Sequence, residues 1–410
     1  MTESGFDNFS AGIAGATTSA TELPLIDECR RRSVELLRAN LSPEGILASS
    51  RAPRAADRHY TAIFGRDAAI CALGMVVSGE KDLIEAARAG LLTLGRYQAA
   101  NGQIPKYVKP EKAEVDFWYS GCIDATLWWL AALRFFDRHV PGAALREELR
   151  PQVGRALDWL ACQEHPVWNL VQQNEASDWA DIMPRSGFVL YSNVLWYWVK
   201  KLYGIDSAPA TRDYLNYLFF PYGPVLPEHR RARLLAHYIR NKMKRGDFYL
   251  SFVNLSFWGE EIDVFGNLLC GLLGVADSSR AVRIVEALRE QKAHRPWPVR
   301  VVGRPIERND PLWRRYMQRH RQNLPFQYHN GGAWPFVGAF WVLLLERLGM
   351  SREACEELTR LAEMNRMGGW EFNEWFHGRS GESQGMPGQS WNAAMYLLAH
   401  AAVTEKRRFF

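Results

Sequence analysis

Two stretches hold carboxylates among aromatics in a way that could do chemistry on a polar ring. "NEASDWADIMPRSG" puts Glu175, Asp178 and Asp181 within seven residues, beside Trp179. Carboxylates crowded next to an aromatic can separate in pKa, one staying protonated as a general acid. Asp181 stands just before the Pro/Gly turn; Asp178 precedes Trp179 and could cap or orient instead. "FNEWFHGRSGESQGMPGQSWNAAMYLLA" holds Glu374 between Asn373 and Trp375, then a Gly-rich loop with Glu382, then Gln389 and Trp391 at the start of an apolar helix. Glu374, among aromatics, is suited to activating a water. Glu382, in a Gly/Ser segment, is expected to be open to solvent. The glycines let the chain turn back, so that Gln389 and Trp391 face the same pocket.

Three further stretches supply polar groups around such a pair. "IFGRDAAI" sets Arg66 and Asp67 at a helix start, where an Asp also gains from the helix dipole. "DFWYSGCIDATLWWLAAL" carries Trp118 and Asp124. An unpaired carboxylate at an apolar helix start is costly, so a polar ligand explains Asp124 better than a cap does. The preceding "NGQIPKYV" supplies a turn and Lys106. "YHNGGAWPFVGAFW" flanks a Gly-Gly turn with His329, Asn330 and Trp334; His329 is expected to support rather than catalyse. Two carboxylates from distant parts of the chain, with aromatics and amides, are what glycoside hydrolysis needs. One protonates the leaving oxygen; the other activates water or attacks the anomeric carbon. No phosphate loop, Ser-His-Asp order, HExxH or Rossmann fingerprint competes. A non-catalytic carbohydrate-binding protein would keep the aromatics and lose a carboxylate. A sugar epimerase would rely on paired His.

The elements that must position these residues are helical. Apolar periodicity predicts helices at Leu25–Asn40, Arg66–Ser78, Lys81–Gln98, Gly121–Arg138, Glu147–Glu164, Leu190–Leu202, Pro227–Met243, Val264–Leu273, Ser278–Glu290, Ala333–Leu348, Ser351–Met367 and Gln389–Ala402. Strand signals are weak, "DFYLSFVNLSF" and "WPVRVVG" being the best. About twelve antiparallel helices with no low-complexity linker suggest helix pairs closed into a ring. A solenoid should show a repeating unit, and none is visible. The connections alternate: one set is short and charged, the other carries the Trp, Asp, Asn, His and Gly residues. In a closed ring, alternate loops share one end, which would be the functional face.

Composition agrees with a sugar-binding protein of ordinary core size. The 410 residues are 47% hydrophobic and include 16 Trp, 15 Tyr and 20 Phe, an aromatic content beyond the needs of a core. The net charge of +5 is too small to argue for nucleic acid. The six Cys show no CxxC pairing, which fits a reducing compartment and implies no metal site. Residues 1–24 read as a polar, flexible tail rather than a signal peptide. No apolar run approaches membrane-spanning length. The expectation is a cytoplasmic chain with one catalytic domain at 25–410, no cofactor, no metal and no membrane or nucleic-acid partner. A homo-oligomer is left open.

From Tyr60 to Val403 the chain resembles the inverting glycosidases with an (α/α)6 barrel, specifically bacterial amylo-α-1,6-glucosidases and neutral/alkaline invertases. "FGRDAAI" is similar to their G-R-D helix start, and "GQIPKYV" with "YSGCIDATLWWL" to their turn and Asp-led aromatic helix. "YHNGGAWP" is similar to their Y-H-N-G-x-x-W-P. The fold implied is an all-α (α/α)6 toroid with minor β-hairpins in its loops. The likeness of "DWADIMPRSG" to their W-x-D segment implies Asp181 as general acid. That of "NEWFHGRSGESQGMPGQSWNAAMYL" implies Glu374 as general base. The substrate contacts implied are Arg66, Asp67, Asp124, His329 and Trp334, with Trp118, Asp178, Trp179, Asn330, Gln389 and Trp391 around them. "YLSFVNLSFWGEEIDVFGNLLCGLLGVAD" is closer to the invertases, and "PGQSWNAAMYLL" to the debranching type. Tyr191 stands where debranching enzymes often have an acidic residue. The implied activity is inverting hydrolysis of α-glucosidic bonds in short oligosaccharides, with sucrose as the alternative.

Overall fold

The computed structural model describes residues 22–50, 60–118, 121–243, 246–255 and 257–410. Of the expected tail, residues 1–21 lie outside the described residues. Fourteen helices are found among the described residues. They are α1 (Glu22–Ala39), α2 (Gly65–Val77), α3 (Lys81–Arg96), α4 (Ile123–His139), α5 (Leu145–Glu148), α6 (Arg150–Cys162), α7 (Leu190–Tyr203) and α8 (Ala208–Leu218). The chain continues with α9 (Arg230–Lys242), α10 (Val264–Leu273), α11 (Ser278–Glu290), α12 (Pro335–Arg347), α13 (Ser351–Trp370) and α14 (Ser390–Thr404). The backbone of α13 leaves helical geometry at Met367–Gly369.

Two kinds of helix alternate along the chain. Helices α2, α4, α7, α10, α12 and α14 are apolar on every side and almost wholly buried, as expected of helices with neighbours all round. Each packs on the next in that order, and α14 packs back on α2, which closes the cycle. Helices α1, α3, α6, α8, α11 and α13 each bury one stripe against this inner set. In α3 the stripe is Leu83, Ala86, Ala87, Gly90, Leu91 and Leu94, the spacing of a one-sided helix. Helix α9 packs outside, on α8.

The connections that precede inner helices are long and hold the strands; those that follow them are mostly tight, as at 204–207, 274–277 and 348–350. Ile63–Phe64, Tyr107–Lys109 and Glu114–Asp116 (β3, β4, β5) form an antiparallel sheet, after a small hairpin of β1 (Leu41–Ser42) and β2 (Gly45–Ile46). Gln172–Gln173, Gly187–Val189, Phe252–Asn254 and Phe257–Trp258 (β6 to β9) form a second sheet. Trp375–Phe376 pairs with Ser383–Gln384 as the hairpin β10–β11. "WPVRVVG" forms only isolated bridges, Asp263 with Val302 and Arg300 with Ala333.

The second residues of the inner helices are Arg66, Asp124, Tyr191, Phe265, Phe336 and Trp391, and they touch in a closed series. Arg66 pairs with Asp124 (3.2 Å), and the Tyr191 hydroxyl donates to Asp124 (3.1 Å). Tyr191 packs on Phe265, Phe265 on Phe336, and Phe336 stacks on Trp391 (4.1 Å between centroids). Trp391 lies under the Arg66 guanidinium (6.0 Å). Beneath this layer Trp128, Trp198, Phe340 and Phe410 fill the axis. The middle of the helix ring is therefore a packed core.

Eleven of the twelve expected helices take places in the double layer, within a few residues of their expected ends. The correction is α8. The helix expected at Pro227–Met243 exists as α9 but lies outside the double layer, and Ala208–Leu218 takes the outer place next to α7. Its stripe of Ala208, Thr211, Leu215 and Leu218 is short and interrupted by a polar residue, which hid it.

The inner helices approach closely enough to test. A Cβ on Gly74 would fall 1.8 Å from the Ala394 carbonyl oxygen of α14. Gly74→Ala should lower stability by about 3 kcal/mol or more, since backbone must move. Gly154→Ala, in open space on the exposed face of α6, should instead raise it by about 0.5–1 kcal/mol. Urea unfolding of both variants measures the contrast.

Candidate active site

Above the layer of second residues lies a cavity of about 300 Å³, lined from the long connections and the first turns of inner helices. Arg66 and Asp67 come from α2, Trp391 from α14, and Asp181 with Trp179 from the α6–α7 connection. His329 and Trp334 come from the α11–α12 connection, and Glu374 from the loop before α14. Trp118 completes the set of expected residues that reach the cavity. A larger apolar groove of about 750 Å³, around Trp168, Leu234 and Leu255, contains no carboxylate. The candidate site is therefore the smaller cavity, where Asp181 and Glu374 meet.

Glu374 is held at the open end of the β10–β11 hairpin. The Tyr60 hydroxyl donates to its Oε1 (2.6 Å) and the Met386 amide to its Oε2 (3.1 Å). Burial pushes its pKa up to about 7, against those two hydrogen bonds. Gly385 explains the Gly-rich loop. Its φ is +78°, and a Cβ there would sit 2.5 Å from Glu374 Oε2, so a side chain is excluded by both backbone and space.

Asp181 has no regular element around it. Lys106 Nζ lies 3.7 Å from its Oδ2 and His329 Nδ1 3.6 Å from its Oδ1. Burial raises its pKa, while Lys106 and Arg66 oppose the rise. Asp67 is likewise pushed up to about 6 by burial, with Arg66 opposing. His329 is driven well below its ordinary value, by burial first and then by Arg66, Arg185 and Lys106. It is neutral at pH 7, stacked on Trp334. Lys106 also lies over the Trp118 ring, 3.4 Å from its centroid.

Several buried polar atoms of these lining residues have no hydrogen-bond partner within the protein: Arg66 Nε, Asp67 Oδ2, Trp179 Nε1, His329 Nδ1 and Trp391 Nε1. Buried polar atoms normally find partners. Donors and an acceptor left over around one cavity, beside four indoles, fit a ligand with many hydroxyls. Among the described residues, no group of three or more His, Cys, Asp or Glu could hold a metal ion.

Four expected contacts do not line the cavity. Asp124 is fully buried beneath Arg66, where Arg66, Cys122 and Tyr191 satisfy it. It braces the guanidinium rather than meeting a sugar. Asp178 accepts from the Ala180 amide and from Gln173, which makes it a turn residue. Asn330 spends its amide on the backbone of Ile306 and Asn323. Gln389 is fully buried at the start of α14. Sequence reading missed Tyr60, Phe64, Tyr107, Asp116 and Tyr328, and gave Lys106 no site role, although all six line the cavity. Tyr328 adjoins His329 in a stretch already singled out. Tyr60 is 314 residues from Glu374, so no local pattern links them.

Comparison with known proteins bears out the resemblance to these glycosidases. A model of the family "Alkaline and neutral invertase" matches residues 245–406. A probable alkaline/neutral invertase D of Arabidopsis thaliana is 20% identical over 460 residues, covering 94% of this chain and 84% of that protein. Among solved structures, a GH63 mannosylglycerate hydrolase from Thermus thermophilus superposes with a TM-score of 0.61 at 14% identity, covering 90% of this chain and 99% of that one. A rhamnosidase from Klebsiella oxytoca gives 0.59 at 13% identity, over 96% and 66%. The fold is thus the one these solved structures share, and the sequence likeness is to invertases. No helix among the described residues is long and apolar enough to cross a membrane.

Two substitutions test how Glu374 is held. Tyr60→Phe removes a donor that favours the ionised carboxylate, so the Glu374 pKa should rise. If Glu374 must be ionised to work, the acidic limb of kcat/KM should move up by about one pH unit, costing more at pH 6 than at pH 8. Gly385→Ala should lower kcat by about tenfold or more at every pH, because it displaces the carboxyl itself.

Proposed function

We propose that the protein is an inverting glycoside hydrolase, built as an (α/α)6 barrel, that cleaves α-glucosidic bonds of short oligosaccharides in the manner of amylo-α-1,6-glucosidases. The carrying observation is the cavity itself. Asp181 and Glu374 arrive from loops far apart in the chain and face one small space walled by Trp179, Trp334 and Trp391. The closed contact series of inner helices supports the barrel.

Asp181 gives its proton to the glycosidic oxygen as the bond to the anomeric carbon breaks. Water attacks that carbon from the opposite face, and Glu374 takes the proton that the water loses. The products are two free sugars, one with inverted anomeric configuration. Tyr60 and the Met386 amide keep Glu374 oriented and favour its charged form. Asp67 accepts from sugar hydroxyls, each such bond worth about 1.5–3 kcal/mol. Arg66 donates, and the indoles supply flat apolar faces. A cavity of about 300 Å³ suits a terminal sugar rather than the middle of a polymer. A second reading, sucrose hydrolysis, is favoured by the likeness of residues 245–406 to the alkaline and neutral invertases.

Glucose release from isomaltose, panose, trehalose and sucrose separates the two substrates. Asp181→Asn should abolish cleavage of poor leaving groups and spare α-glucosyl fluoride. Glu374→Gln should damage both, since water activation is lost whatever leaves. Proton NMR of the first product from an α-glycoside should show the β-anomer. A first product with the α-configuration would rule out inversion.

A further inference from the structure

We propose that the α11–α12 connection clamps the loop bearing Asp181, with Glu175, Arg314 and Tyr316 as positioning residues for the general acid. The inference rests on the glycosidase reading above. Arg314 Nε and Nη2 donate to Glu175 Oε1 at 3.1 and 3.0 Å, and the Tyr316 hydroxyl donates to Oε2 at 2.7 Å. Both carboxylate oxygens of Glu175 are therefore engaged from one segment. The same connection reaches past Asp181, where Asn323 Nδ2 donates to the Ile182 carbonyl (2.8 Å). It then supplies His329, whose Nδ1 lies 3.6 Å from Asp181 Oδ1. Asp181 thus sits between two anchors, with no helix or strand of its own from 174 to 186.

The worth of the clamp is geometric. Glu175 and Arg314 are each about a third exposed, 31% and 30%, and exposed pairs add little to stability. Placement is a different matter, because a misplacement of about 1 Å at a reacting group can cost about a hundredfold in rate. An acid held out of line fails first on substrates whose leaving group needs its proton.

The test compares Glu175→Gln and the pair Arg314→Met with Tyr316→Phe against wild type, on isomaltose or sucrose and on α-glucosyl fluoride. The clamp predicts that kcat on the disaccharide falls by about tenfold or more. The fluoride should change less than threefold, KM should change little, and Tm should hold. Arg314→Lys, which keeps one charged donor, should recover part of the loss. Hydrogen exchange, which needs no substrate, should speed up at the amides of 175–182 and nowhere else. Equal losses on both substrates, or unchanged kinetics and exchange, would overturn the clamp. If wild type cleaves no α-glycoside, the glycosidase reading falls and the clamp's catalytic role with it, whatever the exchange shows.

Discussion

The site depends on one arrangement: six inner helices that begin at the same end and turn their second residues inward. Arg66, Asp124, Tyr191, Phe265, Phe336 and Trp391 form a continuous contact series there. It combines an ion pair, a hydrogen bond, aromatic packing and a cation over a ring. Two of the six are charged and four aromatic, and the cavity lies directly above. Arg66 is its hinge. Only 8% exposed, it balances Asp124 below and, through Nε, Asp67 beside it (3.7 Å), a separation too long for a hydrogen bond. A buried guanidinium is tolerated only where such partners surround it. The same need explains why Asp124, which never meets the cavity, is required at all.

Electrostatics at this end are set by crowding. Asp67, Asp181 and Glu374 share a small space in which Arg66 and Lys106 are the cations. Burial pushes the carboxyls upward and the two cations pull them down. Glu374 is the exception: its opposing partners are Tyr60 and the Met386 amide rather than a full positive charge, and it rises to about 7. A base with that pKa is half ionised near neutrality and fully ionised only above it. In the proposed roles Glu374 must be ionised while Asp181 keeps its proton, so the working pH is bounded on both sides. The Asp181 charge adds to the rise at Glu374, after burial and after the Asp67 charge.

Much of this was legible in the sequence, for identifiable reasons. Inner helices such as "NLLCGLL" and "FVGAFWVLLL" are apolar on every face, and only a helix surrounded by others can be so. The catalytic candidates were legible because a carboxylate among aromatics needs a reason. That same signal misplaced Asp124 and Asn330. A buried polar side chain looks alike in sequence whether a ligand or the scaffold satisfies it. What separates them is direction: Asp124 points beneath Arg66, and Asn330 points at the backbone of Ile306 and Asn323. Tyr60 was invisible for another reason, since its partner is brought to it only by ring closure. The α8 helix was lost because an outer helix needs one narrow stripe, and Thr211 breaks that one.

The division between ring and loops also explains why the two resemblances in the sequence are compatible. The ring supplies the floor of the cavity: Arg66, Asp67 and Trp391 on first turns, backed by the contact series. The proposed acid and base stand on connections, where the backbone must be held by specific side chains instead of by helix geometry. Glu374 is held by Tyr60, Met386 and the space left at Gly385. Asp181 is flanked by contacts to the α11–α12 connection, and Trp118 reaches the same loop through its indole N–H to the Ala176 carbonyl (2.9 Å). On the proposed function, specificity for the leaving group would reside in segments that can change without disturbing the ring. A debranching-like start to α14 and an invertase-like run into α10 can coexist in one chain because the first lies on the ring and the second joins a long connection, β8–β9, to it.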